Sequence, residues 1–227
     1  NVQKVTEGKD TFDIAGTFHR KPLPPSNIAF SSPEGMVLFQ EAMKEGNIST
    51  PFFDLIQAFQ TQGYYSFCGL GSLTMALNSL LIDPKRKIHG IWRWFDESML
   101  NCCDPLETVK LKGISLPKLH CLARCQGASS LLKFASDFTE ESLRDDILSA
   151  VRDDCLCEHG GGNGSSSCNS SSNGNTMRRV LIACYDRRVL GQTGSGHFSP
   201  IGGYHAGRDL VLILDVARFK YPPHLIK

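Results

Sequence analysis

The chain has 227 residues and 41% hydrophobic content, enough for one substantial core, and need not be more than one domain. Its formal charge of +1, from 24 basic and 23 acidic residues, removes any electrostatic reason to expect nucleic acid or an anionic membrane as partner. No apolar run approaches the ~20 residues that a membrane-crossing helix needs, so a soluble protein is expected.

Residues 1–30 lack periodicity and contain Lys21-Pro-Leu-Pro-Pro25, which suits an extended arm on the surface. Ser32-Pro33 opens a helix with Met36, Phe39 and Met43 on one face, closed by Gly46. Thr50-Pro51 opens a second, carrying Phe52, Leu55, Ile56 and Phe59, which ends near Gln60. From Gly69 to Leu81 nearly every residue that is not small is apolar, so this helix is enclosed on most sides, and Asp83-Pro84 stops it. Asp104-Pro-Leu-Glu107 reads as a capping box with proline at the first helical position, ahead of a helix ending at Gly113. Another helix runs from Thr139 to about Arg152. The Gly/Ser-rich stretch at about 159–176 lacks the apolar surface to offset its ordering entropy and reads as a flexible insertion. Strands follow at Arg179–Tyr185, His197–His205 and Leu210–Val216. Helices first and an antiparallel sheet afterwards define an α+β domain.

Cys68 stands where the apolar helix begins. A helix N-terminus presents unpaired N–H groups and partial positive charge, which favour the thiolate, the nucleophilic form. A cysteine in such a place is ordinarily a small buried hydrophobe, so its partners decide the matter. If the turn after His205 is centred on Ala206, His197 and Asp215 are equidistant from it and face each other, with Cβ atoms about 5 Å apart. That pairing requires an odd-length loop or a bulge. An imidazole held by a carboxylate and presented to a thiol is the generalised triad. Cys68 precedes His197 by about the ~130 residues that separate the two groups in papain-like enzymes. Gln62, just upstream, is placed to lend an amide to an oxyanion hole. Gly191-Gln-Thr-Gly-Ser-Gly196 has the glycines of a phosphate loop but precedes a strand and lacks lysine, which excludes that function.

Gln60-Thr-Gln62, Cys68-Gly-Leu70, Trp92-Arg-Trp-Phe-Asp-Glu-Ser-Met-Leu100, Cys102-Cys103, Cys121-Leu-Ala-Arg-Cys125, Gly191–Pro200 and Leu214–Pro223 together resemble the phytochelatin synthase family. The resemblance runs over residues 18–227, setting 1–17 apart as an N-terminal extension and implying a catalytic domain truncated at its C-terminal end. It implies a papain-like cysteine protease fold and transfer of γ-Glu-Cys from glutathione to a second glutathione or a growing phytochelatin, with release of glycine. Cys68 would be the nucleophile, His197 the acid and base, Asp215 the orienting carboxylate and Gln62 the oxyanion donor; Arg93, Arg218 and Lys220 would bind substrate carboxylates. Glutathione, phytochelatins and metal–glutathione thiolates are the implied partners, and a homodimer is compatible with the family. Two departures stand out: Tyr64-Tyr-Ser-Phe67 replaces a Glu-Pro-Ala-Tyr-like run, and Leu225 follows His224 where tryptophan is expected.

The nine cysteines are an odd number without a preceding signal-peptide pattern, which points to free thiols in a reducing, cytoplasmic setting, although a chain beginning at Asn1 is compatible with a removed leader. Cys102, Cys103, Cys121 and Cys125 are candidate soft-metal ligands, but their spacing is not that of a zinc finger. No tightly bound cofactor is expected. Heavy-metal ions (Cd, Zn, Cu) enter through the resemblance as activators or as glutathione thiolate complexes. Two other functions fit the same residues: a papain-like hydrolase that removes glycine from glutathione or its conjugates, and a non-enzymatic metal–thiolate binding module.

Overall fold

The structure, a computed structural model, describes residues 21–88, 90–153 and 178–227. The expected extension 1–17 and the Gly/Ser-rich insertion lie outside the described residues. Six α-helices and a five-stranded antiparallel sheet make an α+β arrangement among them.

Helix α1 (Pro33–Lys44) starts where expected, with the Ser32 hydroxyl accepting the Gly35 N–H at 3.0 Å. Its core face differs from expectation: Gly35, Leu38 and Ala42 are buried, whereas Met36 and Met43 are exposed. The buried stripe is set by the sheet surface α1 must cover, and the long methionines flank it. Helix α2 (Thr50–Gln57) buries Phe52 and Leu55 and ends a few residues short of Gln60.

Helix α3 (Cys68–Ser79) has Cys68 as its first residue and buries everything from Gly69 to Ser79. It stops before Leu81, which turns into the left-handed region at φ 57° and is exposed, so the expected end at Leu81 is corrected. Helix α4 (Leu106–Lys112) has no side-chain cap. Asp104 instead accepts Lys118 Nζ at 3.1 Å, and Pro105, with extended backbone, is itself the capping residue, so the expected capping box does not form. Helix α5 (Leu116–Cys125) follows, and α6 (Glu140–Val151) begins with Thr139 and Ser142 capping each other's backbone N–H.

The strands are β1 (Ile28–Ala29), β2 (Ile182–Asp186), β3 (Gly196–His205), β4 (Leu210–Ile213) and β5 (His224–Ile226), in the order β1-β5-β4-β3-β2. The expected arm is thus partly a strand: Ile28 pairs with Leu225, and the Lys21 N–H donates to the Lys220 carbonyl at 2.8 Å. Both faces of the sheet are covered. Leu210 and Leu212 join α1, α2 and Met75 of α3 on one side, while Val211 and Ile213 meet Ile147 and Val151 of α6 on the other. A third cluster fills the far side of α3 with Leu70, Leu73, Leu77, Phe95, Leu100, Leu122 and Phe198. Helix α3 is therefore held between two apolar clusters, and Cys68 at its mouth touches both.

The turn between β3 and β4 is not centred on Ala206. His205 pairs with Leu210, Tyr204 with Val211 and Gly203 with Leu212 across a four-residue turn; the pairing then slips so that Ile201 meets Ile213. The even-length turn alone would put His197 and Asp215 on opposite faces, and the bulge at Gly202 returns them to one. A Cβ at Gly202 would stand 3.0 Å from Leu214 Cγ, so a side chain there would press on Leu214.

Leu77, wholly enclosed, should cost about 2–5 kcal/mol when replaced by alanine, whereas Leu81→Ala, at 72% exposure, should stay within about 0.5 kcal/mol; urea unfolding measures both.

Candidate active site

The sulfur of Cys68 lies against the backbone N–H groups of Phe198 and of its own neighbour Gly69. A Cβ at Gly69 would stand 2.4 Å from Ile114 and 3.3 Å from the Phe198 ring, so a glycine after the cysteine lets α3 approach β3 this closely. The residue before Phe198 is His197, also buried, and Tyr185 of β2 pairs with it across the ladder. Its Nε2 is 2.9 Å from Asp215 Oδ1, and the same oxygen accepts the Ala217 N–H at 2.9 Å. With Nε2 given to Asp215, Nδ1 is the ring nitrogen left to exchange a proton with a thiol.

Arg187, which the sequence reading did not single out, completes this buried group. Its Nη2 donates to both oxygens of Asp215, at 2.9 and 2.7 Å, and lies 2.8 Å from His197 Nε2. The arginine and the ring nitrogen are thus both donors sharing one carboxylate. Arg187 is 3% exposed and Asp215 0%, so the ion pair is fully removed from water. Its Nη1 donates to Gln192 Oε1; Gln192 Nε2 in turn donates to Asn27 Oδ1 at 2.9 Å and lies 2.8 Å from His224 Nε2. His224 Nδ1 donates to the Pro222 carbonyl, which leaves Nε2 to accept from Gln192. Nothing in the sequence separates Arg187 from its neighbour Arg188, which bonds Asp186 at the surface; the β2–β3 register is what turns one inward.

The electrostatics follow from burial. Burial works to raise the Asp215 pKa, but the hydrogen bond and charge of His197, and those of Arg187, outweigh it and hold the carboxyl down to about 2. Burial pushes the His197 pKa down against the upward pull of Asp215, with Arg187 and Lys220 adding to the fall. It also pushes the Cys68 thiol up, against the Phe198 and Gly69 N–H groups and Arg187. The expectation that the helix terminus would favour thiolate is therefore corrected: desolvation outweighs the N–H groups and pushes the thiol up.

Gln62 is buried, with its backbone N–H donating to the Val216 carbonyl at 3.0 Å. Its side-chain Nε2 donates to the carbonyls of Tyr64 and Tyr65, at 2.8 and 2.9 Å, so the amide braces the turn leading to Cys68. Gln62, Gly63, Tyr64, Tyr65 and Phe219 line an open hollow of about 360 Å³. Lys220 belongs to the buried group's surroundings: its Nζ donates to the Thr193 carbonyl, and burial, then the Arg187 charge, lowers its pKa. Arg218 is exposed, its guanidinium 4.8 Å from the centre of the Phe59 ring. Arg93 is tied to Asp83 at 2.7 Å, both half exposed, and no described contact joins it to Cys68.

The four candidate metal thiols are cross-linked, Cys102 to Cys125 and Cys103 to Cys121, which corrects the reading of them as free thiols. Sequence spacing could not reveal the pairing, because it depends on α5 folding back beside the 102–103 turn. Sulfurs of Cys102, Cys103 and Cys125 all lie within 4.8 Å of one another, but a disulfide sulfur is not the thiolate that soft metals bind. Cys68 and Cys184 are free.

A profile of the phytochelatin synthase family matches residues 18–227. Curated relatives include glutathione gamma-glutamylcysteinyltransferase 1 of Lotus japonicus, 47% identical over 94% of this chain and 38% of that protein. The same-named protein of Arabidopsis thaliana is 50% identical over 92% of the chain and 39% of its own length. Glutathione gamma-glutamylcysteinyltransferase of Schizosaccharomyces pombe is 37% identical over 96% and 47% respectively. The chain thus spans less than half the length of the relatives it matches.

Two measurements probe this geometry. Arg187→Met should lower stability by about 3–5 kcal/mol, because it leaves a buried carboxylate without its cation. A depressed carboxylate contributes stability above its ordinary pKa of 3.8 that is lost as pH falls towards about 2; in Arg187→Met that loss should begin at higher pH, read by thermal unfolding. Alkylation of the non-reduced chain should leave Cys102, Cys103, Cys121 and Cys125 unmodified and label exposed Cys184 before Cys68, with cadmium binding by those four appearing after reduction.

Proposed function

Since this chain belongs to the phytochelatin synthase family, we propose that it transfers γ-Glu-Cys from glutathione to the amine of a second glutathione or a growing phytochelatin, on a papain-like scaffold. The observation that carries the reading is one contact. Cys68 Sγ faces the Phe198 N–H, so the nucleophile sits beside the strand residue that follows His197, whose ring is fixed by Asp215.

In the proposed cycle Cys68 Sγ attacks the carbonyl of the Cys–Gly bond while His197 takes the thiol proton. The proton transfer accompanies attack, since burial raises the thiol pKa. His197 then gives the proton to the departing glycine amine, leaving a γ-glutamylcysteinyl thioester on Cys68. The α-amine of the acceptor attacks that thioester with His197 as base, and Cys68 leaves as the thiol. Asp215 and Arg187 keep the imidazole in one tautomer throughout. Backbone N–H groups at the first turn of α3 supply the oxyanion donors. Gln62 reaches the oxyanion only by giving up the Tyr64 or Tyr65 carbonyl.

Lys220 and Arg218 are assigned to the carboxylates of donor and acceptor; Arg93, committed to Asp83, takes no part. Heavy-metal ions (Cd, Zn, Cu) enter as glutathione thiolates, as part of the substrate. A cytoplasmic setting belongs to the same proposal, and there the Cys102–Cys125 and Cys103–Cys121 cross-links would face a reducing glutathione pool.

Incubation with glutathione and trace cadmium, followed by mass spectrometry, tests it. Free glycine, longer γ-Glu-Cys polymers and a γ-glutamylcysteinyl adduct on Cys68 are expected, all absent in Cys68→Ser. Glycine without oligomers would identify a hydrolase instead, and turnover by Cys68→Ser would sink the nucleophile. Because burial holds the His197 pKa below its ordinary 6.5, the base form persists in mild acid. The acid limb of kcat/KM should therefore fall below pH ~6.5, checked by initial rates.

A further inference from the structure

Glu97 lies in a short 3-10 turn (Glu97–Met99) within the Trp92–Leu100 motif, and the reaction above does not use it. It is 8% exposed, and its Oε2 accepts the Gly63 N–H at 2.8 Å. Its other oxygen, Oε1, is buried without a hydrogen-bond partner, and so is Gln62 Oε1. The two side chains meet at Gly71: a Cβ placed there would lie 2.8 Å from Glu97 Oε1 and 3.3 Å from Gln62 Cβ. Two unpaired acceptors in one buried place lack a proton between them.

We propose that Glu97 is a positioning residue acting as a carboxylic acid, whose O–H donates to the Gln62 side-chain carbonyl while its second oxygen holds the Gly63 N–H. The proposal rests on the reading of Cys68 as nucleophile. A primary amide whose oxygen is held by a donor must turn its N–H end the other way. For Gln62 that end meets the Tyr64 and Tyr65 carbonyls, so the acid group sets the shape of the turn that carries the chain into Cys68. A side chain at Gly71 would press on Glu97 Oε1 and Gln62 together, so glycine there leaves the two groups their space.

The surroundings support the protonated form. Burial pushes the Glu97 pKa up to about 7, against the Gly63 N–H and with help from the Asp96 charge. Among the packed elements, α3 has Cys68 as its one ionisable side chain and the 59–67 segment has Tyr64 and Tyr65. Arg86 spends its guanidinium on the Met99 carbonyl of the same turn. None of these supplies Glu97 with a cation.

Glu97→Gln mimics the acid, since one amide accepts the Gly63 N–H and donates to Gln62; Glu97→Leu cannot. Glycine-release rates and thermal midpoints of the native chain and both variants, from about pH 5 to about pH 9, test the assignment. A folded pKa of about 7 above the ordinary 4.5 means that native stability falls as pH climbs from about 4.5 to about 7 and is flat beyond. Glu97→Gln should lack that fall. It should also lack the loss of kcat that the native chain suffers as Glu97 ionises, which approaches about tenfold for each pH unit above about 7. Glu97→Leu should lose kcat at every pH with KM nearly unchanged, and Glu97→Gln should restore it. Superimposable stability and rate profiles for the native chain and Glu97→Gln would overturn the proposal, as would be found if a water bridged the two oxygens and Glu97 stayed ionised. If no variant released glycine, the transferase reading would fail, and the stability comparison would still decide the state of Glu97.

Discussion

The buried pair of Arg187 and Asp215 is the constraint on which the rest of the site depends. Taking two charges out of water costs several kcal/mol each, and their attraction offsets this only when the geometry is close and the remaining polar atoms are satisfied. Here the remaining atoms are satisfied: Asp215 also accepts from His197 and Ala217, and Arg187 continues into Gln192. The chain extends to Asn27 and His224, so side chains from the N-terminal arm, the turn after β2 and the C-terminal strand are joined through one arginine. His197 is held as a by-product of that network. Its ring cannot turn without losing its bond to a carboxylate oxygen that is removed from water.

A charged centre of this kind needs apolar walls, and α3 provides them. Because the helix is enclosed on both sides, its first residue is fixed relative to the sheet to within packing tolerances, and the thiol inherits that rigidity. The cost is desolvation of the sulfur. Enclosure that positions Cys68 also keeps it protonated, so the base has to be close and already in the right tautomer, which the Asp215 contact ensures. Precision of placement and the raised thiol pKa are two consequences of the same burial.

What the sequence disclosed and what it withheld divide along physical lines. Local chemistry was legible: Ser32 and Thr139 cap their helices, Gly113 ends α4, and the apolar run from Gly69 marks the enclosed helix. The meeting of His197 and Asp215 was legible for an incomplete reason, since the parity argument asked for an odd loop or a bulge and the chain uses a four-residue turn with the bulge at Gly202. Features that depend on long-range packing were hidden. The inward turn of Arg187 rather than Arg188, the cross-links of Cys102 and Cys103 to α5, and the pairing of β1 with β5 each join segments far apart in sequence. The sign of the Cys68 shift was hidden too, because helix dipole and desolvation oppose each other and the burial of the sulfur decides between them.

On the proposed reaction, the approach to Cys68 decides what becomes of the thioester. Water and an amine compete for the same carbonyl, and an open site favours water by concentration. The hollow on the turn that leads to Cys68 is open, but Tyr64, Tyr65 and Phe219 wall it with aromatic surface in place of the acidic, proline-containing run expected there. Aromatic walls hold water weakly and hold the apolar stem of a peptide acceptor better, while Arg218 stands next to Phe219 in sequence to meet an acceptor carboxylate. Transfer over hydrolysis would then depend on acceptor occupancy of this hollow. The loop that forms it is the one that Gln62 braces from within and Gly63 ties to Glu97. On the proposed reaction, the support of the nucleophile and the choice of acceptor would both fall to this single turn of chain.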